Sequence, residues 1–97
     1  MITKERMVRC AETIVNGMNL KRGECVFING GAHTQELLEE IGLSCYRHGA
    51  IPMISVTSDS YKERTYEECS REIMAITPKH VLAAVKETDA MITVEPY

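Results

Sequence analysis

The chain has 97 residues, which suffice for one small domain but not for two cores, so we predict a single domain over residues 1–97. With 44% hydrophobic residues and a formal charge of -3, the composition excludes a disordered chain. Its eleven basic residues are scattered, which argues against a nucleic-acid partner, and no stretch approaches the ~18 consecutive apolar residues of a membrane span.

The first 19 residues have the pattern of an amphipathic helix. Thr3 is placed to cap the helix start, and Gly17 and Asn19 weaken its end. The apolar residues recur every three or four positions, as on one face of a helix. They are Met7, Val8, Ala11, Ile14, Val15 and Met18. We therefore predict a helix before the first strand.

Residues 24–29 contain the most apolar segment of the chain. Its core, residues 25–28, is an unbroken run of the kind found in strands buried on both faces, and so predicts a central parallel strand. Gly30 and Gly31 are predicted to end the strand through backbone conformations that other residues resist. Thr34 is then placed to cap the next helix.

A second helix is predicted over residues 35–48, followed by a second strand over residues 50–56. Gly49 is a natural helix terminator between them. Because Pro52 cannot donate a ladder hydrogen bond, the second strand is predicted to lie at an edge of the sheet. The helix would bury the stripe Leu37, Leu38, Ile41 and Cys45.

The last third of the chain predicts two more helices and a third strand. Residues 58–60 can cap a third helix, and Thr77 with Pro78 can start a fourth. The third helix carries one apolar face: Tyr66, Cys69, Ile73 and Ile76. The fourth is predicted to bury Val81, Leu82 and Val85. Residues 90–94 form the third strand.

Strands that alternate with helices predict right-handed crossovers and a parallel sheet. The apolar first strand fits the middle and the proline-bearing strand an edge, which gives the spatial order 2-1-3. The predicted class is α/β with three layers: about three strands flanked by about four helices, half of a doubly wound fold. Because the third strand keeps an open side, we interpret the chain as an N-terminal piece that is completed by more chain or by a partner.

The cysteines form no CxxC pair and have no histidine at ligand spacing. They are Cys10, Cys25, Cys45 and Cys69. We predict four small buried hydrophobic residues in a reducing cytoplasm, with Cys25 too deep in its strand to act as a reactive thiolate.

Ligands of open parallel sheets bind beyond the carboxyl ends of the strands. In this chain that crevice would be lined by residues 29–34, residues 57–59 and Glu95. The glycine pair could present backbone amides to an anion, but the spacings of the known phosphate-binding motifs are absent. We therefore interpret the glycines as residues required for the shape of the turn.

His33 and Glu36 stand one helical step apart and are followed by Glu39 and Glu40. A metal site needs further convergent ligands, and the known zinc motifs are absent, so we interpret these residues as a loop histidine and an exposed acidic turn. Two more histidines are predicted to be surface residues: His48 and His80. We predict no catalytic, cofactor-binding or metal-binding residue in this chain.

Three segments carry a resemblance to a known family. They are residues 20–28 (Leu-Lys-Arg-Gly-Glu-Cys-Val-Phe-Ile), residues 45–52 (Cys-Tyr-Arg-His-Gly-Ala-Ile-Pro) and residues 88–92 (Thr-Asp-Ala-Met-Ile). In this order, behind a leading helix, they resemble the N-terminal domain of the thermophilic-type metallo-aminopeptidases, the aminopeptidase T and aminopeptidase S group. The resemblance covers nearly all 97 residues.

The resemblance implies a cytoplasmic hydrolase that removes N-terminal residues from peptides, usually as a homodimer, with two divalent metal ions of the zinc, cobalt or magnesium type. In that family the Glu, His, Asp and Tyr ligands belong to the following domain, and no position here matches them. The expected partners of this domain are therefore the catalytic domain and, in the full-length enzyme, the peptide substrate.

Two alternatives stay open. The ring-cleaving dihydroxypyridine dioxygenases, which use ferrous iron, resemble this family in their N-terminal domain, and residues beyond Tyr97 would distinguish them. The chain could instead be a complete, non-enzymatic module that binds a small anion or a protein through residues 30–34.

Overall fold

The computed structural model describes residues 3–94. The elements in chain order are α1 (Lys4–Gly17), β1 (Cys25–Gly31), a 3-10 turn (Ala32–Thr34), α2 (Gln35–Arg47), β2 (Ile51–Thr57), α3 (Asp59–Glu68), α4 (Arg71–Met74), α5 (Lys79–Lys86) and β3 (Ala90–Val94). The strands form one parallel sheet in the order β2-β1-β3. The predicted α/β class, the parallel sheet and the strand order are confirmed.

The first helix begins where the sequence predicts. The Thr3 hydroxyl accepts a hydrogen bond from the Arg6 amide at 3.2 Å, which satisfies one of the free donors of the first turn. One face of α1 buries Ala11 and Val15. The helix ends at Gly17, and Asn19 then takes a positive φ of 50°.

The central strand is buried on one face only. Val26 and Ile28 are buried, whereas Cys25 and Phe27 on the other face are partly exposed. The prediction that the strand is buried on both faces is thus wrong for the face of Cys25 and Phe27. Asp89 fixes the start of the strand, because its Oδ2 accepts from the Cys25 amide at 2.8 Å and its own amide donates to the Cys25 carbonyl at 2.9 Å.

The strand ends at Gly31, but the glycine pair does not end it through unusual backbone conformations, contrary to the prediction. The strand continues through Gly30 and Gly31, and neither has a positive φ. Gly30 is needed for space instead, since a Cβ there would lie 2.9 Å from Thr34 Oγ1 and 3.1 Å from the Val94 carbonyl oxygen. The close approach of the neighbouring elements, not an unusual dihedral angle, therefore accounts for the glycine.

The second helix and the strand after it follow the prediction closely. Gly49 has a φ of +81° and terminates the helix, and Pro52 lies on the edge strand β2. Thr34 stands at the N-cap position of α2, but its hydroxyl donates to the Gly31 carbonyl at 2.7 Å and makes no capping bond. The predicted cap is wrong because the preceding 3-10 turn occupies that hydroxyl.

The predicted third helix is divided into α3 and α4. Cys69 is extended, with a φ of -105° and a ψ of 149°, and the Ser70 hydroxyl then accepts from the Ile73 amide and caps a new helix. Ser58 caps α3 through the Tyr61 amide, as predicted. The fourth predicted helix, α5, begins one residue later than expected, with Pro78 at its N-cap position.

The core lies on one side of the sheet, under α1 and α2. Its buried members are Ala11, Val15, Val26, Ile28, Leu38, Ile41, Cys45 and Ala50. In contrast, α3, α4 and α5 contain no buried residue. The prediction that α5 buries its apolar stripe is wrong, because its members are 42%, 54% and 41% exposed: Val81, Leu82 and Val85.

Only one of the four cysteines is fully buried. Burial raises the pKa of the Cys45 thiol, and Cys25 is partly buried. Cys10 and Cys69 are exposed, so the prediction of four buried cysteines is wrong for these two. Helical periodicity places a residue on an apolar face but does not show what covers that face.

A polar cluster joins the C-terminal parts of α1 and α2. Arg47 Nε donates to Glu12 Oε1 at 2.9 Å, and this hydrogen bond is the main reason that the pKa of Glu12 lies below its usual range. His48 is partly buried rather than a free surface residue, with Nε2 2.7 Å from Asn16 Oδ1 and Nδ1 2.9 Å from the Ser44 carbonyl. The buried Ser44 hydroxyl makes no hydrogen bond among the described residues, and Arg47 is the largest cause of the lowered pKa of Glu12.

We expect the lowered pKa of Glu12 to cause a small loss of stability in acid. Because its pKa is lowered in the folded state, its contribution is present above the unfolded pKa and disappears as the pH falls through the folded pKa. We expect Glu12→Gln to reduce stability slightly at pH 7 and not at pH 3, since a solvent-exposed pair contributes little. Urea unfolding of both proteins across this pH range measures the effect, and a difference that grows toward low pH would contradict the assignment.

Candidate functional site

A polar cleft of about 200 Å³ lies at the carboxyl ends of the strands. It is lined by Asn29, Gly30, Gly31, Thr57, Asp59, Lys62, Thr93 and Val94. The crevice predicted from the sequence is therefore present in part. Residues 32–34 lie outside this cleft, and Glu95 lies outside the described residues.

Strand register and a helix cap bring the cleft residues together. Asn29 is paired in register with Ser55 of β2 and with Thr93 of β3, so these polar side chains succeed the apolar ones at the same end of the sheet. Ser58 starts α3 beside this end, and Asp59 and Lys62, three residues apart, are neighbours on the helix surface.

Among the described residues, one cationic and one anionic side chain line the cleft, Lys62 and Asp59. Their charges offset each other. Sequence analysis missed Lys62, whose only signal is its position four residues after the capping Ser58.

A wider depression of about 660 Å³ surrounds the 3-10 turn and the start of α2. Its lining includes His33 and Glu36, both of which are exposed. Glu39 also lines it and accepts a hydrogen bond from Gln35 at 3.0 Å. His80 lies exposed on α5 and does not line this depression.

The acidic and histidine side chains do not converge on a metal site. Within residues 3–94, no group of three or more His, Cys, Asp or Glu side chains is arranged to hold a metal ion. In the same part of the chain, no helix combines the length and the apolar character needed to cross a bilayer. The resemblance implies a two-metal centre whose ligands belong to the following domain, and the described residues of this chain contain no such group.

Comparison with known proteins adds evidence about the fold. No protein-family profile and no curated protein sequence matches the chain. A solved structure does. Wild-type AmpT from Thermus thermophilus, an aminopeptidase T, superposes with a TM-score of 0.77 over 97% of this chain. The identity is 18%, so the likeness to AmpT shows a shared fold.

The match covers very different shares of the two chains. This chain spans 25% of the AmpT chain. The match thus concerns one α/β unit of a much longer protein, and the remaining three quarters of AmpT have no counterpart in these 97 residues.

Proposed function

We propose that this chain is the N-terminal, non-catalytic domain of a metal-dependent aminopeptidase that releases N-terminal amino acids from peptides. The observation that carries the proposal is the likeness to AmpT over 97% of this chain and 25% of that one. The three sequence segments that resemble the aminopeptidase T and S group support the same assignment.

The chemistry of the described residues supports a non-catalytic role. They offer no group of side chains that could hold a metal, and the strand-end cleft contains neither a histidine nor a thiol. The two divalent ions of the proposed enzyme would be held by residues outside this domain. When bound, such ions polarise the scissile carbonyl and activate a water molecule.

The proposed contribution of this domain is structural. It would pack against the catalytic domain and form one wall of the substrate cleft. All four cysteines are free thiols, which supports the reducing, cytoplasmic location included in the proposal. Assembly as a homodimer is also part of the proposal.

Peptidase assays on the full-length product of the gene test the proposal. We expect it to cleave aminoacyl anilides in the presence of zinc, cobalt or magnesium and to lose activity with a chelator. Deleting residues 1–97 should lower activity on the order of a hundredfold, because a displaced cleft wall misplaces the substrate. Circular dichroism should first establish that the shortened protein is folded.

Three results would oppose the proposal. They are cleavage by the 97-residue chain alone with added metal, normal activity of the folded deletion variant, and an inactive full-length protein. Iron-dependent opening of a dihydroxypyridine ring by the full-length protein would assign it to the dioxygenase alternative instead.

A further inference from the structure

We propose that one side of this domain is the docking surface for the polypeptide that follows β3 in the longer protein. This outer surface consists of the sheet face opposite α1 and α2 together with helices α3, α4 and α5. The inference rests on the proposed function and identifies which side of the domain the rest of the enzyme covers.

The domain exposes more surface than a folded protein of its size. Its accessible area is 7435 Å², whereas a monomer of 10.9 kDa is expected to expose about 5,600 Å². Its radius of gyration is 15.2 Å, against about 12.5 Å for a compact domain of this length. The excess of about 1,800 Å² is roughly twice the area that each partner buries in an interface of standard size.

Most of the exposed large apolar side chains lie on the outer surface. On the sheet, three exposed side chains share the face of Cys25 and Phe27, namely Ile51, Met53 and Met91, whereas Ile54 and Val56 are exposed on the other face. On the crossover helices they are Tyr61, Tyr66, Ile73, Met74, Ile76, Val81, Leu82 and Val85. Parallel sheets are almost always covered on both faces, so this side requires a covering partner.

The thickness of the molecule shows that its own helices do not provide this cover. The smallest dimension of the Cα trace is 15 Å, which a sheet and one layer of helices already fill. None of the three crossover helices packs extensively on the described sheet. The three crossover helices follow the predicted order in the sequence but leave their apolar side chains exposed.

The free edge of β3 favours a covalently attached occupant over a second copy. Every strand pair in the sheet is parallel, and a parallel partner for β3 requires a crossover connection. A twofold dimer would pair two β3 edges antiparallel. AmpT has the same fold followed or preceded by three times as much chain, and an attached segment gains a high effective concentration.

Two exposed cysteines provide a matched test. Cys69 lies on the outer surface between α3 and α4, and Cys10 lies on α1 at the other side of the sheet. The full-length protein is treated with N-ethylmaleimide, and the modification rate of each thiol is followed by peptide mass spectrometry. We expect Cys69 to react about tenfold or more slowly than Cys10 in the native protein, and at the same rate in urea.

A pair of variants gives an independent readout. Leu82 on α5 and Leu43 on α2 are 54% and 51% exposed, so a lysine at either position costs the isolated domain equally little. In the full-length protein, Leu82→Lys should lower the thermal midpoint and speed the modification of Cys69. Leu43→Lys should change neither.

The outcomes separate this inference from the proposed function. An active peptidase whose Cys69 reacts as fast as Cys10 overturns the docking surface and leaves the function standing. A protected Cys69 in a protein without peptidase activity supports the docking surface and overturns the proposed function. If dilution dissociates an oligomer and Cys69 loses its protection at the same time, a second copy covers the surface, which overturns the inference. A reading frame that ends at residue 97 also overturns it, because the proposed occupant would not exist.

Discussion

Replacing Ile28 by alanine is expected to destabilise the domain by about 2–5 kcal/mol. The side chain is fully buried at the centre of β1, beneath α1 and α2, and the shorter side chain leaves a cavity that the sheet cannot close. Small domains have a total stability of about 5–15 kcal/mol, and the one-sided core places this one toward the lower end. Urea unfolding of the 97-residue chain measures the loss.

Ile73→Ala is the matched control. Ile73 is 67% exposed on α4, so the same change in chemistry should alter the stability by no more than about 0.5 kcal/mol. Equal losses for the two variants would show that α4 is packed in solution and that the core has a second side.

Replacing Gly30 by alanine is expected to destabilise the domain by about 1–3 kcal/mol through overpacking. The added methyl group would lie 2.9 Å from Thr34 Oγ1 and 3.1 Å from both Leu38 Cδ2 and the Val94 carbonyl oxygen. At least one of these contacts is with backbone, which cannot move aside by changing a rotamer. The midpoint of urea unfolding should fall while its slope stays the same.

Gly17→Ala serves as the comparison for this variant. Gly17 ends α1, has a negative φ, and an added methyl group would meet nothing within 4 Å. Alanine should therefore be neutral or stabilise by up to about 1 kcal/mol, because it restricts the unfolded chain. If both glycine substitutions had the same effect, the close approach at Gly30 would not be the reason for that residue.

Those parts of the fold that depend on local chemistry were predictable from the sequence. Residues 25–28 are too apolar for an edge, and Pro52 cannot donate in the middle of a sheet, so the strand order follows from burial and hydrogen bonding. Gly49 at the end of α2 is equally local, since few other residues adopt a φ of +81°.

Several of the errors concern partners that are distant in the sequence. Gly30 was interpreted by its conformational freedom, whereas it is required for space, in part because Val94, 64 positions later, passes close by. His48 meets Asn16, which lies 32 residues earlier on another helix. The stripe on α5 was correctly found to be apolar, but periodicity alone does not supply the element that covers it.

The part of the candidate cleft that lies at the strand ends was predicted from the general rule for ligand sites in parallel sheets. That rule places Asn29, Thr57 and Asp59 at the carboxyl ends of the strands, and they lie there. Lys62 belongs to the cleft because of the direction in which α3 leaves its cap, and this direction depends on tertiary structure.

The central position of β1 determines the order in which the sheet can form during synthesis. Its pairing with β2 closes a loop of about 25 residues, whereas the contact between Cys25 and Asp89 spans 64 residues. Pairings across longer stretches form more slowly, so a ribosome-bound chain would assemble α1, β1, α2 and β2 first. β3, which leaves the ribosome after these elements, would then join the sheet last.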